Sequence, residues 1–297
     1  MKNLKLLLGP MRLPFVILAP ACVLVGLGTA LYEQGSINWG YFLLALIGAI
    51  SAHISVNAFN EYFDFKSGLD TRTQKTPFSG GSGTLQAHPE LASAALWTAI
   101  VTFVLTGLIG LFFAFVQGWE IIPLGVVGLF LLYGYTVWIT RVPILCLLAP
   151  GLGFGTLMVL GTHFALTGSY SWTALLASFV PFFLVSDLLL LNQFPDVEAD
   201  ESIGRKHYPI VLGRKKSSYL YIAFLLGAYV AIVLGVVLGL LPTWALLGLL
   251  TLILAMQVIR NLLKNAENVP AILPSMAQNV LINLITPVLL AIGLLIG

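Results

Sequence analysis

The chain has 297 residues, 59% of them hydrophobic and 9% charged, where soluble domains carry roughly 25% charge. Fourteen Lys and Arg stand against twelve Asp and Glu, a net charge of +2, and no long basic face can be built from them. That excludes a soluble domain and a nucleic-acid partner, and it leaves a polytopic protein whose solvent is the lipid bilayer.

Nine apolar runs are each long enough to cross about 30 Å of hydrocarbon. They lie near 14–32, 40–62, 92–116, 121–139, 147–167, 172–193, 217–240, 243–262 and 272–296. Barrel strands would alternate over about ten residues, and lipid requires backbone groups to be satisfied within the segment, so the runs predict helices. The expectation is one all-α transmembrane domain over 1–297. The first run is too long for a signal peptide and has no small-residue cleavage site, so it is read as a retained helix.

The basic residues sort onto alternate loops. Lys2, Lys5 and Arg12 precede the first run; Lys66, Arg72 and Lys75 follow the second; Arg141 follows the fourth; Arg205, Lys206, Arg214, Lys215 and Lys216 follow the sixth; Arg260 and Lys264 lie at the end of the eighth. The positive-inside rule then puts the N-terminus on the cytoplasmic side, with a prokaryotic cell membrane as the expected location. One span too many or too few would scramble this pattern. Cys22 and Cys146 show no metal spacing and read as core residues.

The second run ends in Asn60-Glu61-Tyr62-Phe63-Asp64, with Asp70 beyond Gly68. On a helix, His53, Asn57, Asn60 and Asp64 fall within about 60° of one another and form a polar stripe down to the cytoplasmic mouth. Gly68 is expected to stop this helix. A long polar loop over about 64–91 follows, carrying Ser79-Gly80-Gly81-Ser82-Gly83, and Pro89 can open a short helix after it. The sixth run ends in Asn192-Gln193-Phe194-Pro195-Asp196, with Glu198 and Asp200 behind, ahead of a second polar loop over about 194–216. Asn192, Asp196 and Asp200 are spaced to share a helical face that Pro195 should bend. The two motifs are 132 residues and four spans apart, so they share one side of the membrane. Their placement suggests two parallel four-helix halves and a ninth helix.

Carboxylates at a bilayer are costly, and paired motifs of this kind point to function. Their oxygens suit Mg²⁺, which prefers a few carboxylates together with waters and phosphate oxygens. Asn60, Asp64, Asp70, Asn192, Asp196 and Asp200 are the candidate ligands, with Asn57 supporting them one turn deeper. A diphosphate is the natural bridging group. Arg12, Lys66, Arg72, Lys75, Arg141, Arg205 and Lys206 are placed to neutralise it. A diphosphate site at the mouth of an apolar bundle fits a substrate with a hydrocarbon tail. The expected reaction is prenyl transfer, with Asp64 and Asp196 at its centre and an allylic carbocation sheltered from water.

Asp187 lies inside the sixth span and points about 140° away from Asn192, so it is not counted as a ligand. It can bind a polar acceptor, act as a base, pair with a histidine across the bundle, or be a protonated structural group. His53 can orient an acceptor hydroxyl, take a ring proton, or be a packed core histidine. His163 is expected to be structural near the outer end of the fifth span. His88 and His207 are expected to be solvated.

The chain resembles the UbiA superfamily of intramembrane prenyltransferases, most closely its 1,4-dihydroxy-2-naphthoate branch. The resemblance rests on residues 60–70, Gly81-Ser82-Gly83-Thr84-Leu85, residues 160–168, Asn192 through Gly204, Leu212-Gly213-Arg214, and the Leu13-Pro14 and Ala19-Pro20 pairs. It implies nine helices around a central cavity under a cytoplasmic cap, Mg²⁺-dependent transfer from a prenyl diphosphate, and an aromatic quinone precursor as acceptor. Four features depart from the branch. Gln193-Phe194-Pro195 replaces a segment with a second Asn and an Arg, Phe154 follows Gly151-Leu152-Gly153 where the family often has Glu, Ser79 stands at a usually basic position, and Arg12 is shifted. These positions lie where an acceptor would sit, so another aromatic ring, a haem vinyl group, a lipid alcohol or cyclisation of the prenyl chain stays open. A secondary transporter is the rival of a different class, disfavoured because the acids gather at one face and the halves run parallel. The longer aspartate signature of CDP-alcohol phosphotransferases is absent. Prenyl length and oligomeric state are not encoded legibly.

Overall fold

The computed structural model describes residues 8–69, 72–73 and 75–297, and every regular element among them is a helix. Asp70, Lys2 and Lys5 lie outside the described residues. The long helices are α1 (Leu13–Gln34), α2 (Trp39–Ser67), α3 (Pro89–Val116), α4 (Ile121–Val137), α5 (Pro143–Thr167), α6 (Trp172–Asn192), α7 (Arg214–Val237), α8 (Thr243–Asn265) and α9 (Val269–Ile296). All but α4 are long and apolar enough to cross a membrane, and α4 is a shorter apolar helix of 17 residues. The nine expected spans therefore all appear as helices, with ends shifted by a few residues.

Local sequence sets the ends. The Asn38 side chain accepts from the Gly40 and Tyr41 amides at 2.9 and 3.2 Å and opens α2. Ser171 does the same for α6 through the Ala174 amide at 2.9 Å. Such caps satisfy amide donors that the first helical turn leaves without partners. At the other end of α2, Gly68 takes φ 72°, a left-handed conformation that suits glycine and stops the helix where the spacing predicts.

Lipid gives helices no hydrophobic reason to associate, so close packing between small residues has to hold them together. Helix α1 packs on α5 and on α9, joining the first and last helices of the bundle; α2 packs on α3, and α6 on α5, α7 and α9. Gly26 of α1 lies against Thr162 of α5, and Gly28 against Ala291 and Leu294 of α9. In the middle of α5, Gly151–Leu157 widens into a π-helical turn. There a Cβ at Gly151 or Gly155 would overlap the Phe182 backbone, so α6 approaches closely only because these positions lack side chains. The same π turn directs Gly153 and Phe154 toward the bundle interior, where both line a cavity.

One expectation needs correction. The sixth helix does not continue through Pro195 with a bend. It stops at Asn192, residues 193–196 form a turn, and a separate short helix runs over Val197–Glu201. Proline cannot donate to the ladder and restricts its neighbour, which breaks the helix here. The first polar loop holds the short helix Thr84–Ala87 and ends at the tight turn Pro89–Leu91 that opens α3. The second holds Val197–Glu201 and Tyr208–Leu212.

Candidate active site

A cavity of about 570 Å³ lies inside the bundle, and both acidic motifs line its mouth. From α2 come His53, Asn57, Asn60 and Asp64, the predicted stripe; from the second motif come Asn192, Asp196 and Asp200. The break at Pro195 leaves this last set together, because the Asp200 amide still bonds the Asp196 carbonyl at 2.8 Å and both carboxylates line the cavity.

Arg205 ties the two motifs to each other. Its guanidinium donates to Asp64 and, at 2.9 Å, to Asp200 Oδ1. On the other side of Asp200, Oδ2 meets His207 Nε2 at 3.0 Å. Burial alone would raise the Asp200 carboxyl, but the His207 hydrogen bond and the Arg205 charge together pull it below its ordinary range. Burial works against the Arg205 charge too, yet Asp64 and Asp200 more than offset it and push its pKa up. Among the described residues no such cation is in contact with Asp196. Burial first, and the Asp200 charge second, push it up to about 7, against the Ser79 hydrogen bond and the more distant Arg205 and Arg12.

Arg12 forms the other wall. It is the one non-glycine residue at positive φ among the described residues, at 48°. Such a conformation costs about 1–3 kcal/mol and persists where its surroundings hold it. Glu61, only 1% exposed, does the holding. It accepts from Arg12 Nε at 2.7 Å, from the Ser82 amide at 2.6 Å and from Ser82 Oγ at 2.9 Å. One carboxylate thus fastens both the N-terminal segment and the glycine-rich loop, whose Gly80, Gly81 and Gly83 all take positive φ. Asn57, expected to support the metal ligands, donates instead to the Met11 carbonyl at 3.1 Å and steadies the same segment.

The other candidates divide. Of the seven predicted cations, only Arg12 and Arg205 line the cavity. Arg72 donates to Ser202 and joins the two cap loops, Lys75 bonds Gln86, Lys66 lies 5.8 Å over the Tyr62 ring, and Arg141 and Lys206 are exposed. His53 is buried in the cavity wall, edge-on to Phe154 at 4.5 Å. Asp187 does not line the cavity. It is fully buried, with neither oxygen hydrogen-bonded among the described residues, near Tyr221 and Tyr229 of α7. His163 lies at 3.0 Å from Thr29 and joins α5 to α1, as a structural residue would.

His207 corrects the expectation of a solvated cap residue. It is 1% exposed and lines the cavity, while His88 is partly exposed beside Glu90 at 3.1 Å. Neither His207 nor Glu61 stood out in the sequence as part of the site. The one available signal for Glu61 was its place within the first acidic motif. Gln193 and Cys146, joined at 3.2 Å, also line the cavity.

Among the described residues no group of three or more His, Cys, Asp or Glu side chains is arranged to hold a metal ion by itself. The donors at the mouth nonetheless fit Mg²⁺. Asn192 Oδ1 and Asp196 Oδ1 are buried without hydrogen-bond partners, which is costly unless something pairs with them. With Asn60 and Asp64 they supply hard oxygens only, in a number that leaves room for water and phosphate ligands.

A profile of the UbiA prenyltransferase family matches residues 19–281. The chain is 30% identical to a 1,4-dihydroxy-2-naphthoate octaprenyltransferase of Bacillus subtilis over 86% of its own length and 81% of that protein. It is 26% identical to a 2-carboxy-1,4-naphthoquinone phytyltransferase of Synechocystis over 86% and 82%. In solved structures the same fold occurs in a UbiA homologue from Aeropyrum pernix, with TM-score 0.73 at 17% identity over 96% and 98% of the two chains. It occurs again in a homologue from Archaeoglobus fulgidus bound to GPP and Mg²⁺, with TM-score 0.64 at 15% identity over 98% and 100%.

Proposed function

Because the chain belongs to the UbiA prenyltransferase family, we propose that this integral membrane enzyme transfers a prenyl group from a prenyl diphosphate to an aromatic quinone precursor of the 1,4-dihydroxy-2-naphthoate type. The observation that carries this reading is the meeting of the two acidic motifs at one cavity mouth, joined through Arg205. The names of the Bacillus, Synechocystis and Archaeoglobus proteins support the donor, the acceptor and the metal.

Asp64 and Asp196, with the amide oxygens of Asn60 and Asn192, are the residues that would hold Mg²⁺. When bound, the metal supplies Lewis-acid polarisation of the leaving diphosphate. Asp70 remains a candidate ligand from the sequence. Arg12 and Arg205 offer guanidinium donors to the phosphate oxygens, the geometry that planar forks recognise best. Below the mouth the wall is mostly apolar. It takes the tail and keeps water from the allylic carbocation left when the C–O bond breaks. The acceptor ring then attacks that carbon. His53, beside Phe154, is placed to orient an acceptor hydroxyl and, where the attacked ring carbon carries hydrogen, to receive the proton released as the ring regains aromaticity. For a hydroxynaphthoate acceptor the leaving group is the ring carboxyl, lost as carbon dioxide. Asp187 does not line the cavity, and this reading gives it a place within the fold rather than in the chemistry.

The charge pattern of the loops supports an N-terminus and a cavity mouth on the cytoplasmic side. The test of function is direct. Purified protein in lipid, given Mg²⁺, a prenyl diphosphate and 1,4-dihydroxy-2-naphthoate, should release diphosphate and yield a prenylated naphthoquinol by mass spectrometry. Neither product forming, with any of several aromatic acceptors, would defeat the reading.

A further inference from the structure

The second cap loop passes from the cavity to the surface of the molecule within three residues. Arg205 and His207 line the cavity, and Lys206 between them is exposed. The Lys206 amide donates to the Thr140 carbonyl at 2.9 Å. That bond sets Lys206 beside Arg141, the next residue in the link between α4 and α5, and Arg141 is exposed too. Among the described residues neither side chain has an acidic partner or a hydrogen bond. Of the acids in this cap, Glu198 is taken by Arg214 and Asp200 by Arg205 and His207, while Glu201 is exposed without a contact to either cation. Two unpaired cations held side by side repel each other and gain from a shared anion. The surroundings indicate which anion. Three residues before Arg141, Trp138 is exposed, stacks on Phe130 at 6.2 Å and meets Tyr133 edge-on at 5.6 Å, an aromatic belt of the kind that marks the headgroup level. Beyond Arg141 the first turn of α5 exposes Ile144 and Leu145. Beyond Lys206 the short helix Tyr208–Leu212, packed on the starts of α5 and α7, exposes Val211 and Leu212. Apolar surface for acyl chains thus adjoins a pair of cations for a phosphate. A phospholipid uses both, and an anion in water uses only the second.

We propose that Arg141 and Lys206 form a binding site for the phosphate of an anionic phospholipid in the leaflet at the cavity mouth, and that the bound headgroup fastens the second cap to the bundle. Arg141 supplies a planar fork, and Lys206 a compact charge on a long apolar stem that can lie along the lipid boundary. The headgroup bridges the link between α4 and α5 to the cap that carries Arg205. The site backs directly onto the mouth. Thr140 lines the cavity and its hydroxyl donates to the Thr136 carbonyl at 3.1 Å, while the Thr136 hydroxyl accepts from the Asn60 amide at 3.4 Å. With the cap fastened, Arg205 keeps its place between Asp64 and Asp200, and the donor is held more tightly. Binding of the lipid does not depend on what the enzyme transfers; its effect on the donor rests on the prenyl-diphosphate reading above.

The test places the purified protein in vesicles of phosphatidylcholine alone, or with roughly a third phosphatidylglycerol, at one ionic strength. The readouts are the phosphatidylglycerol retained per protein in native mass spectrometry and KM for a prenyl diphosphate. Arg141→Gln/Lys206→Gln is compared with wild type and with Arg260→Gln/Lys264→Gln, which removes the same charge from two exposed cations of α8. In the anionic vesicles KM should fall about threefold or more for wild type and the α8 variant, and by less than about 1.5-fold for the Arg141/Lys206 variant, which should also retain less lipid. Equal responses in all three proteins mean a diffuse effect of surface charge and overturn the inference, as does unchanged lipid retention in the Arg141/Lys206 variant. Lower retention with an unchanged KM response overturns the fastening of the cap. Inorganic phosphate added to neutral vesicles should not lower KM; a fall there would give the pair to a soluble anion and overturn the lipid site. Wild-type protein that turns over no prenyl diphosphate defeats the proposed function, while lipid retention still decides the site.

Discussion

At the scale of single residues, charge balance organises the mouth of the cavity. Arg205 lies between Asp64 and Asp200, while Asp196 and Asn192 keep oxygens buried and unpaired. Asp64→Asn and Asp196→Asn are expected to fold and to lose turnover by about 100-fold or more, the size of loss seen when one preorganised electrostatic group is removed. Steady-state kinetics at saturating Mg²⁺ checks this. Glu61 acts differently, since it touches Arg12 and Ser82 rather than the open cavity. Glu61→Gln keeps the shape but weakens the charge-assisted bonds to Arg12 and Ser82, so KM for the donor should rise about tenfold, the equivalent of about 1.4 kcal/mol, with a smaller change in kcat. Asp187→Asn should leave kcat within about threefold, because the carboxyl is walled off from the cavity and an amide is nearly isosteric. A large loss of kcat with unchanged thermal stability would instead give Asp187 a catalytic part.

At the scale of elements, small residues decide how closely the helices meet. The π turn of α5 is the sharpest case. Its glycines let the Phe182 backbone come close, and the turn also sets Phe154 against His53. Gly155→Leu overfills that contact and should destabilise the protein by about 1–3 kcal/mol, seen as a lower Tm in lipid. The apolar runs made the helices themselves legible, and Gly68 made the end of α2 legible. The π turn was not: Gly151-Leu152-Gly153-Phe154-Gly155 reads equally well as ordinary helix, and only the approach of α6 selects the wider winding. Pro195 announced an interruption but not its form, because whether a proline bends or ends a helix depends on what packs around it.

At the scale of the whole molecule, the bundle brings together residues far apart in sequence at one polar mouth and leaves a deep apolar shaft beneath. α1 closes against α9, and the cap segments meet through Arg72 and Ser202. The fold stands on helix packing rather than on a metal. Chelation with EDTA should abolish turnover reversibly while leaving the far-ultraviolet circular dichroism spectrum unchanged and Tm within a few degrees. Loss of helix content on chelation would mean that the metal is structural.

Hydropathy, loop charge and the spacing of Asn60 to Asp64 and Asn192 to Asp196 were enough to give the helical class, the nine segments and the polar stripe, because each is a local property that survives any arrangement of the helices. Which groups share the cavity was decided by tertiary packing. Arg205 entered it and Lys66, Arg72, Lys75, Arg141 and Lys206 did not; His207 was buried against Asp200 although its segment is polar; Asp187 was turned away from the chamber that its neighbour Asn192 lines. Net charge and residue type are the same in either place. Burial and partnership are set only when helices separated by a hundred residues or more are fixed against one another.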